Sequence, residues 1–77
     1  MVPFNDRLRL ARELAGLSQS GLARKLGVAS STISHYEQGS RVISTLELPR
    51  VAHALGREPG EFYEEKRWEA IAEIRVK

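Results

Sequence analysis

Apolar residues recur at helical spacing along this chain, in short segments that end at glycines. The first segment runs from about Asn5 to Gly16, and its apolar stripe consists of Leu8, Leu10, Ala11, Leu14 and Ala15. Glycine readily adopts the left-handed conformation in which many helices end. The pattern therefore predicts a first helix that begins near Asn5 and stops at Gly16.

A second, shorter segment begins after Ser18, whose hydroxyl suits the N-terminal cap of a helix. The apolar positions of this segment before Gly27 are Leu22, Ala23 and Leu26. A third helix is predicted from about Ser30 to Gln38, after a short connection. Two short helices joined by a turn that contains glycine are typical of a helix-turn-helix.

Side chains of the third helix divide into an inward and an outward set. Ile33 and Tyr36 are expected on the inward side, and Gly39 is expected to end the helix. Polar residues, mainly serines, occupy the other positions.

Prolines mark the starts of two further helices, because the first helical position tolerates the fixed φ of proline. A fourth helix is predicted from Leu48 or Pro49 to Gly56, with an apolar face of Leu48, Val51, Ala52 and Leu55. Pro59 opens a short fifth helix whose Phe62 closes the core. The expected fold is therefore all-α, with five helices and no strands between them.

The final segment, residues 64–77, is ambiguous. Trp68, Ile71, Ala72 and Ile74 form a partial apolar stripe that favours a helix, whereas Ile74, Arg75 and Val76 could equally extend as a strand. We divide the chain into a domain of residues 1–63 and an extension of residues 64–77. The extension could fold back over the core, mediate dimerisation or connect to another domain.

Composition restricts the class of protein. The 77 residues include no cysteine and carry a net charge of +2. That charge is unevenly placed, because residues 1–57 sum to +4 and residues 58–77 to −2. A polyanion-binding surface is therefore expected in the first three quarters of the chain. No apolar run is long enough for a membrane span, so we expect a cytoplasmic protein without membrane contact.

Catalytic and metal chemistry find little support. Ser34 and His35 are adjacent on the third helix and so point about 100° apart, which is unsuited to a nucleophile and its base. His53 is expected at the surface of the fourth helix. With two histidines and no cysteine, no zinc-ligand spacing is present. We predict no catalytic residues, no metal, no cofactor and no enzymatic activity.

The segment from Leu17 to Arg41, LSQSGLARKLGVASSTISHYEQGSR, resembles the helix-turn-helix of the phage lambda-type repressor and Cro family. The matching elements are Gln19, Leu22-Ala23, Leu26-Gly27-Val28, Ile33-Ser34 and Glu37-Gln38-Gly39. The resemblance continues to about residue 63. It implies a five-helix lambda-repressor-like domain that binds double-stranded DNA and regulates transcription, as a repressor and as a homodimer on a palindromic operator.

In this motif the second helix of the pair lies in the major groove. The resemblance therefore implies that the residues facing the base edges are Ser30, Ser31, Thr32, Ser34 and His35. These side chains are short, whereas relatives with long glutamines here make bidentate base contacts. Specificity could therefore depend on water, methyl contacts or DNA shape. Capping of the third helix is the alternative role of Ser30 and Ser31.

Phosphate contacts are expected from Gln19, Gln38, Ser40 and Arg41. Gln19 lies at the positive N-terminal end of the second helix, where free amides meet a phosphate. Arg41 has the alternative of a solvated loop charge. Arg7, Arg9, Arg24 and Lys25 are expected mostly in solvent, although one near the start of the first helix could reach a phosphate.

The resemblance also implies a structural pair of Arg12 and Glu37 between the first and third helices. It leaves the operator, the regulated genes, the effector and the choice among phage repressor, restriction-modification controller and antitoxin open. A protein-interaction module, or the leading domain of a larger regulator, is the alternative function.

Overall fold

The computed structural model describes residues 1–76, with side chains to Arg75, so Lys77 of the predicted extension lies outside the described residues. It has five α-helices and one short 3₁₀ helix in the described part of the chain. The helices are α1 (Phe4–Leu14), α2 (Gln19–Leu26), α3 (Ser30–Gln38), α4 (Leu48–Ala54), the 3₁₀ helix (Pro59–Tyr63) and α5 (Glu65–Val76). The all-α prediction is confirmed.

The helix-turn-helix forms as its local sequence dictates. Ser18 caps α2, because its Oγ accepts a hydrogen bond from the amide of Gly21 at 2.9 Å. Gly27 then ends α2 at φ +70°, a conformation that residues with a Cβ rarely adopt. The amide of Val28 donates back to the carbonyl of Ala23 at 3.0 Å, which closes the turn. The predicted cap and turn are both confirmed.

The core lies between α1, the helix-turn-helix, α4 and the segment after residue 58. Its fully buried large side chains are Leu8, Leu22, Ile33, Phe62 and Trp68. Tyr36 is buried as well, so both inward positions predicted for α3 are confirmed. Burial of these side chains is the main force that holds the short helices together, since helices of this length are marginal alone.

The short fifth helix predicted to open at Pro59 is a five-residue 3₁₀ helix. The amide of Glu61 donates to the carbonyl of Glu58, three residues earlier, at 3.0 Å. Only five residues separate Glu58 from Glu64, and two of them are proline and glycine. This short turn nevertheless buries Phe62 completely, as expected.

The extension is helical and packs on the core. The helix α5 continues through Ile74 and Arg75, so the strand alternative is wrong. Trp68 stacks on Phe62 with ring centroids 5.3 Å apart, and its indole nitrogen donates to the carbonyl of Glu61 at 2.8 Å. Arg75 reaches back to Glu13 on α1 at 3.0 Å. Trp68 therefore belongs to the core, while the boundary at residue 63 stays a prediction.

Arg7 corrects one expectation of the sequence analysis, because it is buried rather than solvated. Its Nη1 donates to the carbonyl of Phe62 at 2.8 Å, and its Nε donates to the carbonyl of Val2 at 2.8 Å. Glu65 at the start of α5 lies 4.0 Å from its Nη2. Arg7 thus joins α1 to the two elements that follow α4, and its donors are used inside the protein.

None of the described helices combines the length and the apolar composition that crossing a membrane requires.

Candidate nucleic-acid interface

The helix α3 presents one polar face to solvent. Ser30, Ser31, His35 and Gln38 are exposed on it, and Ser34 is half-buried between them. Residues three or four apart share a face of a helix, so these five side chains form one continuous stripe. Thr32 is also half-buried and lies at the edge of the stripe. Four of the five residues predicted to face bases therefore lie on the stripe itself.

The serines at the start of α3 do not cap it. The N-cap residue is Ala29, which makes no side-chain cap hydrogen bond. The amide of Thr32 bonds to the carbonyl of Ala29 at 3.0 Å. The hydroxyls of Ser30 and Ser31 are therefore not used for capping, and both point from an exposed first turn.

Side chains near the end of α3 hold one another in place. The amide nitrogen of Gln38 donates to Oγ of Ser34 at 3.1 Å, and Oγ of Ser40 donates to the carbonyl of His35 at 3.3 Å. The guanidinium of Arg41 lies over the ring of Tyr36, 5.6 Å from its centroid. A cation at this distance from an aromatic face is attracted by the ring. Ser40 and Arg41 thus follow α3 in an ordered loop.

A cluster around Glu37 fixes α3 to the first two helices. Arg12 Nε donates to Oε2 of Glu37 at 2.6 Å, and Arg12 Nη2 donates to Oε1 at 3.0 Å. Gln19 Nε2 donates to the same Oε1 at 3.1 Å. Asn5 adds a bond from its side chain to the carbonyl of Glu37 at 3.0 Å. The hydrogen bond to the Glu37 carboxylate raises the pKa of Arg12, so the guanidinium stays charged.

This cluster bears on the expected role of Gln19. One hydrogen of its amide is used by Glu37, and the side chain is half-buried at the start of α2. A carboxamide nitrogen has two hydrogens, so one donor is left for a phosphate. The position of Gln19 thereby becomes coupled to that of α3.

Arg50 on α4 and Glu47 just before α4 also hold the helix-turn-helix. Sequence reasoning did not single them out. Arg50 Nη2 donates to the carbonyl of Leu26 at the end of α2, at 3.0 Å. The Tyr36 hydroxyl donates to Oε2 of Glu47 at 2.5 Å. This bond lowers the pKa of Glu47, and burial together with the same bond raises the pKa of Tyr36. No spacing in the sequence signals these contacts, because each joins residues from different helices.

Asn5 was also missed as a functional residue. It was interpreted only as the start of α1. Its side chain donates to the carbonyl of Glu37 and lies beside Gly39. Gly39 has φ +80°, and an added Cβ would lie 3.6 Å from Asn5. The end of α3 is therefore packed directly against the start of α1.

Four exposed cations form no ion pair in the described part of the chain, and they lie on α2, on α4 and in the loop after α3. Ion pairs in the described part of the chain occupy Arg7, Arg9, Arg12, Arg57, Arg67 and Arg75. Five described lysines and arginines form no ion pair. One of them, Lys66, is on α5, and the other four are Arg24, Lys25, Arg41 and Arg50. These four are all exposed and belong to α2, the loop after α3 and α4. A polyanion would meet them without first breaking an ion pair.

Comparison with known proteins agrees with this geometry. A helix-turn-helix family model matches residues 8–62. An uncharacterized helix-turn-helix transcriptional regulator of Archaeoglobus fulgidus is 45% identical over 56 residues, which cover 73% of this chain and 24% of that protein. The chain thus spans about a quarter of the length of that relative.

Solved structures show the same fold. The restriction-modification controller protein C.AhdI of Aeromonas hydrophila aligns with a TM-score of 0.74 and 39% identity, over 79% of this chain and 92% of that chain. The clp gene regulator ClgR of Corynebacterium glutamicum aligns with a TM-score of 0.76 and 26% identity, over 95% and 77%. HppE, in an iron(II) complex with substrate, aligns with a TM-score of 0.70 and 30% identity, over 77% of this chain but only 34% of that chain.

The family match, the regulator relatives and the helix-turn-helix geometry agree. The chain belongs to the helix-turn-helix family of DNA-binding transcription regulators of the phage lambda-repressor and Cro type.

Proposed function

We propose that this regulator reads the major groove of double-stranded DNA with the exposed stripe of α3, as a homodimer on a palindromic operator, and that its binding represses transcription. The observation that carries the proposal is that an exposed polar stripe on α3 occurs together with exposed cations, without ion pairs, on the neighbouring elements. The cations that form no ion pair among the described residues lie on α2, on α4 and in the loop after α3, and they are Arg24, Lys25, Arg41 and Arg50. Repression needs only occupancy of the operator, which makes it the simplest outcome.

Phosphates would position the domain before any base is read. Gln19 offers a donor at the start of α2, and Gln38 and Arg41 offer donors at the end of α3. Ser40 donates its hydroxyl to the carbonyl of His35, so it would contact a phosphate by exchanging that bond. Because Gln19 bonds to Glu37, both groups lie near the C-terminal end of α3, and contacts to phosphate from both would hold that end of the helix against the DNA backbone. Gln19 shares the carboxylate of Glu37 with Arg12, so phosphate contact and recognition-helix position are set together.

Base reading would come from Ser30, Ser31, Ser34 and His35, with Thr32 at the edge of the contact. A serine hydroxyl donates or accepts, so it discriminates little alone, while His35 can donate to a purine N7. Ser34 already accepts from Gln38, which leaves its own hydrogen free as a donor. With such short side chains, part of the specificity is expected to come from bridging water and DNA shape.

We further propose that the chain acts in the cytoplasm on nucleoid DNA and has no catalytic activity of its own. The likeness to HppE covers about a third of that chain, so it supports a shared helix-turn-helix part and carries no chemistry over. The same partial coverage, together with the 24% coverage of the archaeal regulator, favours a second candidate. In it this fold serves as one domain of a larger regulator, with DNA binding as its contribution.

Binding to duplex DNA as a function of salt tests the proposal. Each phosphate neutralised contributes about −0.9 to the slope of log affinity against log salt, so replacing Arg41 with alanine should reduce the slope by about one. Lys66→Ala removes an exposed cation from α5 and is the matched control, for which no change is expected.

The two histidines provide a second matched pair for the same assay. His35→Ala should weaken specific binding by about 1 kcal/mol, the lower end for a base contact, because one donor is lost. His53→Ala on α4 should leave binding unchanged, since both histidines are exposed but only His35 lies on α3. Equal effects of the two substitutions would contradict the reading by α3.

A further inference from the structure

The carbonyls at the C-terminal end of α3 receive hydrogen bonds from two sources. The last four carbonyls of an α-helix have no partner inside the helix. The turn after α3 supplies donors for two of them, because the amides of residues 39–41 donate to the carbonyls of His35 and Tyr36 at 3.1 to 3.3 Å. The carbonyl of Glu37 accepts instead from another helix, from Nδ2 of Asn5 at 3.0 Å. The start of α1 thus completes the end of α3.

The carboxamide of Asn5 also lies against the turn itself. Gly39 has φ +80°, and a Cβ added there would lie 3.6, 3.6 and 3.8 Å from Cγ, Nδ2 and Oδ1 of Asn5. These are ordinary van der Waals distances, so the flat carboxamide covers one side of Gly39. Asn5, Gly39 and Arg41 line the same cavity. Asn5 therefore acts at the point where the chain leaves α3 toward Arg41.

The backbone that carries Asn5 is held on both sides. Phe4, its neighbour, lies 6.1 Å from Phe62 and 5.9 Å from Tyr63, measured between ring centroids. Arg7, two positions after Asn5, is buried and donates to the carbonyl of Phe62 at 2.8 Å. The donor of Asn5 is therefore in place before any DNA is bound, and little further ordering is needed to hold the carbonyl that it contacts.

We propose that Asn5 is a positioning residue for DNA binding. By holding the carbonyl of Glu37 and covering Gly39, it sets the direction in which the chain leaves α3. That direction determines where Arg41, one of the donors proposed to contact phosphate, lies relative to the polar stripe. Asn5 needs no contact of its own with DNA for this role. The inference rests on the proposed function for the phosphate contact, whereas the effect of Asn5 on the turn can be measured without DNA.

Arg12 holds the same residue of α3 in a different way. It follows Asn5 by seven positions, which is two turns or about 10 Å along α1, so both side chains lie on the same side of that helix. Arg12 bonds to the carboxylate of Glu37 at 2.6 and 3.0 Å, whereas Asn5 bonds to the main chain of Glu37. Loss of the Asn5 donor is therefore expected to disturb the turn while Arg12 keeps α3 and its stripe in place.

Amide hydrogen exchange measured by NMR without DNA tests the effect on the turn. Asn5→Ala removes the donor, and Asn5→Asp keeps the shape of the side chain but replaces the donor with an acceptor. Both should speed exchange of the Ser40 and Arg41 amides at least about tenfold, with a smaller change at the amide of Leu55 after α4. Ile71→Ala is the matched control, because Ile71 packs on the core from α5 and its loss should speed exchange at all three amides about equally.

Salt dependence of binding to a duplex of mixed sequence tests the consequence for DNA. Arg41→Ala should reduce the slope of log affinity against log salt by about one. Asn5→Ala should reduce this slope as well, although it removes no charge, because the guanidinium of Arg41 is displaced from its phosphate. The double variant should show no larger reduction than Arg41→Ala alone, since both changes act on one contact. Ile71→Ala should leave the slope unchanged.

Two results would overturn the positioning role. Exchange that Asn5→Ala speeds no more at Ser40 than at Leu55 would show that Asn5 contributes only to general stability. An unchanged slope for Asn5→Ala, or a double variant in which the two reductions add, would show that Asn5 does not act through Arg41. Absence of salt-dependent binding by the intact chain would instead refute the proposed function, and the exchange rates would still decide whether Asn5 holds the turn.

Discussion

Removing the guanidinium of Arg12 is the perturbation for which the structure allows the clearest magnitude. The Glu37 side chain is only 4% exposed, and the Arg12 side chain is 12% exposed. Arg12 supplies two of the three side-chain donors to the carboxylate, and Gln19 supplies the third. Arg12→Met keeps most of the apolar stem and leaves the buried carboxylate with Gln19 alone.

Breaking a buried ion pair by removing one partner costs about 3 to 5 kcal/mol, because the remaining charge is left uncompensated. The variant also loses the bond from Arg12 Nη1 to the carbonyl of Leu17 at 2.8 Å, a contribution of about 1 kcal/mol. A domain of this size has a total stability of roughly 4 to 12 kcal/mol. Arg12→Met should therefore lower Tm by at least about 12 °C.

Urea unfolding followed by the single buried tryptophan, Trp68, measures the loss directly. The double variant Arg12→Met, Glu37→Leu removes both charges, and it should recover much of the stability because no buried charge is left unpaired. DNA binding by Arg12→Met should weaken even under conditions in which the variant is fully folded. The reason is that Arg12 no longer holds Glu37 on α3, to which Gln19 also bonds. A loss below about 1 kcal/mol for Arg12→Met, or a double variant less stable than the single one, would refute the reasoning.

Three further predictions concern stability. Trp68→Ala should cost about 3 to 5 kcal/mol, measured by circular dichroism in urea, because Trp68 fills the core and bonds to Glu61; a cost near zero would show that α5 is not part of the core. Ser18→Ala should cost about 1 kcal/mol, whereas Ser20→Ala on the exposed side of α2 should be neutral, and equal costs would contradict the cap. Because folding lowers the pKa of Glu47 and Glu61 from their usual 4.5, the stability they contribute is present above about that pH and is lost as pH falls through their folded values. Glu47→Gln should therefore show a smaller fall in urea midpoint between about pH 5 and pH 3 than the intact chain, and an identical fall would rule this out.

Much of the fold follows from local signals in the sequence. Ser18, Gly27 and Gly39 each mark a helix boundary because a hydroxyl cap or a positive φ is a property of the residue itself. Pro49 likewise lies in the first turn of α4. The apolar stripes locate the core since burial acts on each helix face separately. These features allowed α1 to α4 to be predicted within a residue or two.

Features that depend on contacts between helices could not be predicted in this way. Arg7 looked like one more surface cation, and only the fold brings its guanidinium to the carbonyl of Phe62. Arg50 and Asn5 bond to backbone carbonyls of other helices, which no spacing rule encodes. The extension was ambiguous because its stripe is weak, and the burial of Trp68, with Ile71 and Ala72 packed beside it, is a property of the folded protein.

The candidate site shows the same division. The stripe of α3 follows from helical periodicity, and the pair of Arg12 and Glu37 follows from the family resemblance. The pairs of Arg9 with Asp6 and Glu13 are at helical spacing and could be expected from the sequence. The pair of Arg75 with Glu13 joins residues 62 positions apart and could not. Total charge therefore understated the positive character of the helix-turn-helix.

Selection of bound sequences from a random duplex pool, at roughly physiological salt, tests the central claim most directly. The intact chain should be compared with a Ser31→Ala, His35→Ala variant, because both side chains are exposed on α3. The account predicts that the intact chain enriches one palindromic sequence and that the variant loses or changes it while remaining folded. Enrichment of no sequence by the intact chain, or of the same sequence by the variant, would contradict sequence-specific reading by α3.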